Sequence, residues 1–309
     1  MTAPIILFVF NRPEHTIQTV QSLQKNKLAY DSDLYVFSDG WRVFSDNPEN
    51  TKKEKNIVHE VRNYIKTISG FRNITLVESD TNLGLSHSII SGVTEIINKY
   101  GSAIVLEDDL ITSLHFLDYM NASLRFYENN KQVMQVSGYM FPVEMRSDYD
   151  NVLLPFTASW GWGTWKRAWE HFDAKAKGWE KLDHDIKLKK RFDFNGTYPF
   201  SEMLKAQMKN EIDSWAIRWY WTVFRAKGLV AFPKSSYVVN IGMDGSGVNC
   251  GNDYGWNNGK NFKNDICDLI NFNFQTEIFP TETVYPDIKK FFSKIHGCFI
   301  DNIQQSVDI

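Results

Sequence analysis

The chain has 309 residues, of which 43% are hydrophobic and 23% charged, and a formal net charge of −3. This is the composition of a soluble globular protein with room for one large α/β domain, or one domain and an appendage, and it excludes any general electrostatic attraction to nucleic acid. The three cysteines, Cys250, Cys267 and Cys298, lack metal-site spacing, which predicts a reducing compartment and no disulfide framework.

The first element is an apolar run, Ile5 to Phe10, too short for a signal peptide or a membrane span and without a basic stretch before it. This gives the expectation of a cytoplasmic enzyme, or of the catalytic part of a longer chain. The run reads as a strand buried on both faces. Asn11 and Arg12 follow it, then a helix from about His15 to Gln24 with Ile17, Val20 and Leu23 on its apolar face. A second strand, Leu34 to Phe37, ends in Ser38-Asp39-Gly40. A helix over 50–68 leads to a third strand, Ile74 to Val77, a polar loop containing Asp80 and Asn82, and a helix from about His87 to Tyr100. The fourth strand, Ala103 to Leu106, runs straight into Glu107-Asp108-Asp109. Strands alternating with helices at this spacing predict a doubly wound, mostly parallel sheet.

Four strands in succession therefore bring polar groups to one rim of that sheet, where open α/β sheets bind ligands. Three adjacent acids repel one another unless a cation sits among them, and a divalent ion is the usual answer. An isolated triplet of this kind reads more readily as an acidic turn capping the next helix; the company it keeps here argues for a site. No Gly-x-Gly-x-x-Gly follows the first strand, and there is no phosphate-binding Gly-x-x-x-x-Gly-Lys-Ser/Thr, which argues against nicotinamide-cofactor enzymes and P-loop hydrolases.

The second half begins with a helix from about Leu114 to Glu128 and a strand, Val133 to Ser137. Thr157 to Trp165 then packs three Trp and two Gly into nine residues. Most of these Trp suit a core corner. Trp160 or Trp162, flanked by glycine, is the candidate ligand wall, since an indole face stacks on a sugar ring. Lys175 to Lys190 is charge-rich and solvated, and a helix spans about Met203 to Lys209. In Glu211-Ile212-Asp213-Ser214-Trp215, Asp213 and Ser214 can cap the helix that begins there. A carboxylate at a helix start among aromatics also suits a general base. Two short strands, 228–233 and 237–242, precede a Gly-rich polar loop over 243–250. Near the C-terminus Ile288, Phe291, Phe292, Ile295 and Phe299 share one helical stripe beside Lys289, Lys290 and Lys294. That stripe docks on the protein's own core or touches an anionic membrane surface, the first reading being favoured.

The pattern resembles a glycosyltransferase of the GT-A type, and within it the N-acetylglucosaminyltransferase I-like group. The resemblance spans roughly residues 3–140 and returns in patches to about 250. Its carriers are Phe10-Asn11-Arg12, Ser38-Asp39-Gly40, above all Val105-Leu106-Glu107-Asp108-Asp109-Leu110, and Gly161-Trp162, which is similar to the family's acceptor-side loop. It implies a GT-A-like sheet with an appended acceptor-side C-terminal region. Residues 1–140 would form the nucleotide-sugar half, 141–285 the acceptor and catalytic half of the same domain, and 286–309 a C-terminal helix or tail. It further implies donor contacts from Asn11, Arg12, Asp39, Glu107 and Asp108, with Arg12 and Asp39 on the nucleoside. Mn²⁺ or Mg²⁺ would sit on Asp109, the acceptor would lie beside Trp160, Gly161 and Trp162, and the base would be Asp213, with Glu211 as fallback. The family places an acidic pair before that Trp where this chain has Asp213 alone, and a His after Gly-x-Ser where this chain has Asn249.

The implied activity is inverting, metal-dependent transfer of a sugar, GlcNAc-like, from a nucleoside-diphosphate sugar (UDP-sugar favoured) to a glycan or lipid-linked hydroxyl. The setting would be cytoplasmic, with peripheral contact to the inner face of the membrane through the C-terminal helix. Two other readings remain at this stage: a non-catalytic carbohydrate- or nucleotide-binding protein on the same fold, and a sugar nucleotidyltransferase, which the missing Gly-rich loop disfavours.

Overall fold

The computed structural model describes residues 2–145, 147–245, 271–278 and 280–295. The first half follows the expected alternation: β1 (Ile5–Val9), α1 (Pro13–Gln24), β2 (Asp33–Ser38), α2 (Pro48–Ile65), β3 (Asn73–Glu78), α3 (Leu85–Tyr100) and β4 (Ser102–Glu107). β5 (Leu110–Thr112), α4 (Phe116–Phe126), β6 (Val133–Ser137), β7 (Asn151–Leu154), β8 (Trp162–Trp165) and α5 (Lys166–Trp169) come next. α6 (Ile186–Phe192), α7 (Phe200–Met208), α8 (Trp215–Arg225), β9 (Leu229–Pro233) and β10 (Val238–Asn240) complete the named elements. Pro13 and Pro48 open α1 and α2, where the missing N–H costs nothing.

Eight strands form one sheet in the order β3-β2-β1-β4-β8-β6-β9-β7. β1 to β4 are mutually parallel, β8 and β7 run antiparallel to their neighbours, and β6 and β9 pair in parallel. The fold is therefore α/β with a mostly parallel, doubly wound sheet, as the alternation predicts. The chain moves outward from β1 to β3 and then returns to place β4 on the other side of β1. Right-handed crossovers in opposite directions put α3 on the face opposite α1 and α2; α1 packs on α2, and α3 on α5 and α8. β1 and β4 therefore flank the switch point, and a crevice is due at their C-terminal ends.

Three strands lie outside the sequence expectations. β5 pairs antiparallel with β10, beyond the main sheet. β7 and β8 come from stretches without an apolar-polar period; the Trp-rich segment is half strand, with Trp162 opposite Val105. The stripe Ile288, Phe291, Phe292 and Ile295 is buried. Phe292 packs against Phe141, Phe156 and Phe200, so these four residues serve the protein's own core, the first of the two sequence readings. Phe299, the three cysteines and the Gly-rich loop from Ser246 onward lie outside the described residues. No helix among the described residues is long and apolar enough to cross a membrane.

Candidate active site

A cavity of about 240 Å³ opens at the C-terminal ends of β1 to β4. Its wall holds Asn11 and Arg12 after β1, Asp39 and Arg42 after β2, Asn82 and Gly84 before α3, Glu107, Asp108 and Asp109 after β4, and Asp213 from the α7–α8 connection. Phe8 and Phe37, stacked with centroids 5.3 Å apart, contribute its apolar part. Seven residues singled out from the sequence as donor-binding, metal-binding or catalytic thus meet on one surface. Glu211 is not on that surface; it is exposed, with a Lys209 ammonium 4.0 Å away.

Arg12 is the centre of the charge arrangement. Its Nη2 lies 2.9 Å from Asp109 Oδ2 and also donates to Asp108 Oδ1. Burial alone would ease the guanidinium toward neutrality, but the Asp108 and Asp109 charges outweigh it, and its pKa is raised. Glu107 is in the opposite position. Burial first, then Asp109 and Asp108, push its carboxyl up to about 8, against the pull of Arg12 and of a hydrogen bond with Trp215. A carboxyl shifted in this direction holds its proton to higher pH, which eases the repulsion within the triplet.

The triplet is clamped from both sides. Thr19 Oγ1 donates to the Asp108 carbonyl at 2.7 Å and accepts from Leu110 N at 3.1 Å. Ser22 Oγ, one turn on, accepts from Thr112 N at 2.9 Å, so the buried face of α1 takes the place of a neighbouring strand beside β5. On the other side Ile241 N donates to the Asp109 carbonyl at 2.8 Å. Gly242 then presses on the ion pair: a Cβ there would stand 2.2 Å from Asp109 Oδ2 and 2.7 Å from Arg12 Nη1. Gly242→Ala must open the Arg12–Asp109 contact. It should cost about 1–3 kcal/mol of stability, read by urea denaturation; an unchanged value would show that the pair has room to move.

Asp39, for which the resemblance implies a nucleoside contact, is held within the wall by hydrogen bonds. Its Oδ1 accepts from Gly40 N and Leu83 N at 2.8 Å each, and its Oδ2 from Gly84 N at 3.0 Å and Asn82 Nδ2 at 3.1 Å. Four bonds fill the carboxylate's capacity, so Asp39 shapes the wall by holding the loop before α3. Arg62 backs this arrangement, donating to the carbonyls of Asp39 at 3.2 Å and Ser79 at 2.6 Å.

Asp213 does not cap its own helix. Ser214 does so, accepting from Ile217 N at 3.4 Å. Asp213 Oδ2 instead accepts from Ser86 N at 3.2 Å, in the first turn of α3, whose own N-cap is Gly84. The carboxylate is thus held at a helix N-terminus contributed by a remote part of the chain, an end that favours negative charge.

The acceptor-side residues fall elsewhere. Trp162 is fully buried, its ring stacked 4.9 Å from that of Trp215, so it supports the Glu107 partner and offers no face to a ligand. Gly161, at φ +59°, fits between Val238 and Phe116. Trp160 is half-buried, edge-on to Tyr139 at 4.5 Å. None of the three lines the cavity. Their placement has a simple cause: the segment leads into β8, in the middle of the sheet, where alternate side chains face packed helices.

Arg42 was not singled out from the sequence. Its fork grips the buried Glu54, with Nε to Oε1 at 3.0 Å and Nη2 to Oε2 at 2.6 Å, while its guanidinium carbon sits 5.5 Å from the Phe10 ring centroid. Glu54 also takes a hydrogen bond from Asn11. The available signal was Glu54 itself, on the inward side of α2.

Among the described residues no group of three or more His, Cys, Asp or Glu is arranged to hold a metal ion. Asp109, the residue expected to hold a metal, has Arg12 Nη2 2.9 Å from one of its oxygens.

No protein-family model matches the chain. No curated protein matches it either. Among solved structures, the crystal structure of S. aureus TarS 1-349 is similar over 77% of this chain, at 12% identity and a TM-score of 0.42. The crystal structure of S. aureus TarS 1-349 in complex with UDP is similar at 13% and 0.41, and that of S. aureus TarS at 12% and 0.39, each again over 77% of this chain. This chain spans 60% of the length of the first two and 36% of the third. The functional reading rests on the cavity's own groups.

Proposed function

We propose that this chain is a glycosyltransferase that moves a sugar from a nucleoside-diphosphate sugar, a UDP-sugar by preference, to a hydroxyl of a glycan or lipid-linked acceptor. The observation that carries the reading is the convergence on one cavity of the ion-paired Arg12, Asp108 and Asp109, the neighbouring Glu107 and the helix-anchored Asp213. Such a wall suits a ligand with a diphosphate at one end and a reacting carbon within reach of a base.

Asp109 would hold Mn²⁺ or Mg²⁺. One protein carboxylate is compatible with that chemistry, because Mg²⁺ is commonly completed by substrate phosphates and water. When bound, the ion neutralises the diphosphate as a leaving group. Arg12 fixes the orientation of Asp109 and adds positive charge beside the phosphates. Glu107 lines the same wall, hydrogen-bonded with Trp215, and is within reach of the donor. Asp213 takes the proton of the acceptor hydroxyl as it attacks the anomeric carbon from the far side, with inversion.

The test is a panel of nucleotide sugars incubated with the protein, with Mn²⁺ or with excess chelator, followed by assay of released nucleoside diphosphate. Metal-dependent release that Asp109→Asn abolishes is expected. Release of pyrophosphate would favour a nucleotidyltransferase, and binding without turnover a carbohydrate- or nucleotide-binding protein.

A further inference from the structure

We propose that the wall formed by Asn82 and Arg42 reads the donor's base, and that it selects a base whose ring N–H lies beside a carbonyl, the edge shared by uracil and guanine. The inference rests on the donor-site reading above and assigns the recognition that the resemblance gave to Asp39.

Asn82 is fixed as an acceptor. Its Nδ2 donates to Asp39 Oδ2 at 3.1 Å and to the Gly40 carbonyl at 2.8 Å. Two oxygen acceptors on one end of the amide settle which end is nitrogen, since the flipped group would set oxygen against oxygen. Both amide protons are then committed. The carbonyl Oδ1 is what Asn82 can offer a ligand in the cavity it lines, and it takes an N–H. Asp39 cannot compete for that N–H, because its own oxygens are filled.

Arg42 is fixed as a donor. Nε and Nη2 are bound to Glu54, which also accepts from the Arg42 backbone N at 2.7 Å. Phe10 and Phe44, with centroids 5.5 and 5.6 Å away, hold the guanidinium further. Arg42 lines the cavity, and Nη1 is the guanidinium nitrogen not bound to Glu54; it donates only and suits a carbonyl oxygen.

The two groups stand on the correct side of the site. In the strand order β3-β2-β1-β4, Asn82 and Arg42 follow β3 and β2, whereas the acid triplet follows β4. β2 and β4 are two strand spacings apart, roughly 10 Å. A nucleotide with its diphosphate at the triplet extends its base across β1 toward them. In that register uracil gives N3–H to Asn82 and a flanking carbonyl to Arg42, and guanine offers N1–H beside O6. Cytosine and adenine put a lone pair at the corresponding ring nitrogen, facing a carbonyl that cannot turn.

The experiment is calorimetric titration of the full chain with UDP, GDP, CDP and ADP under one buffer and metal condition. At least one of UDP and GDP should bind about tenfold or more tightly than both CDP and ADP, and the arms show which. Methylating the ring nitrogen of the preferred base, at N3 of uracil or N1 of guanine, should remove that advantage. Arg42→Met should weaken the preferred nucleotide about tenfold and narrow the gap to CDP. Equal affinity for all four bases, or an unaffected methylated nucleotide, would overturn the inference and leave the donor site standing. No binding by any of the four would overturn the donor site itself. Should Arg42→Met fail to fold, the methylated nucleotide still decides the matter.

Discussion

Arg12→Met will cost the folded protein about 3–5 kcal/mol near neutral pH, and the loss will grow as the pH rises. The guanidinium is the cation between two carboxylates whose side chains are 5% and 7% exposed, and it is itself only 16% exposed. Removing it leaves two buried acids uncompensated. Asp108, whose carboxyl burial already raises against the pull of Arg12, then loses that pull and rises further above its unfolded value. A carboxyl whose folded pKa is raised keeps a proton the unfolded chain has released, so stability is highest in acid and falls with pH above the unfolded value of about 4. Glu107, held up to about 8, already adds a contribution of that sign in the wild type. Urea midpoints of wild type and variant at about pH 5 and about pH 8 should therefore diverge most at the higher pH. Arg12→Lys should recover part of the loss, since the charge returns but the fork that reaches both acids does not. A penalty equal at both pH values would mean that the acids had relaxed into water and that Arg12 is merely a packing residue.

The same pair explains why so much of the site could be read from sequence. Buried parallel strands are continuous apolar runs, and the residues directly after each run must lie at the sheet's rim; Arg12, Asp39, Asn82 and Glu107 to Asp109 are all found in this way. The contacts that escaped carry no local signature. Glu54 reads as a solvent charge on α2, and only the return of the chain past Arg42 makes it a buried anchor. Thr19 and Ser22 lie on a buried helix face that an apolar-stripe reading ignores, because there the buried surface satisfies the backbone of β5 rather than filling a core. Trp162 has the glycine neighbours of a ligand wall, but strand pairing between β4 and β6 overrides composition. In each case the deciding partner is more than ten residues away.

Asp213→Asn will lower turnover by about 10²–10⁴-fold while leaving the fold nearly as stable as before. The two outcomes separate the proposed base from the observed contact with α3. Asp213 Oδ2 accepts from Ser86 N at the start of α3, and an asparagine carbonyl can accept the same bond. What asparagine cannot do is take the proton from an acceptor hydroxyl. Asp213→Ala removes both functions, so it should lose the turnover and also about 1 kcal/mol of stability, the usual cost of a missing helix cap. The comparison needs turnover with a productive nucleotide sugar, nucleotide affinity by titration, and denaturation of all three proteins. Affinity should change little in the asparagine variant, since the triplet and Arg12 lie across the cavity on other elements. Were Asp213→Asn fully active and Asp213→Ala merely unstable, the carboxylate would be a cap and nothing more. With Asp39 saturated and Asp108 and Asp109 tied to Arg12, the base would then have to be sought in Glu107, whose raised pKa suits proton exchange near neutrality, or outside this cavity.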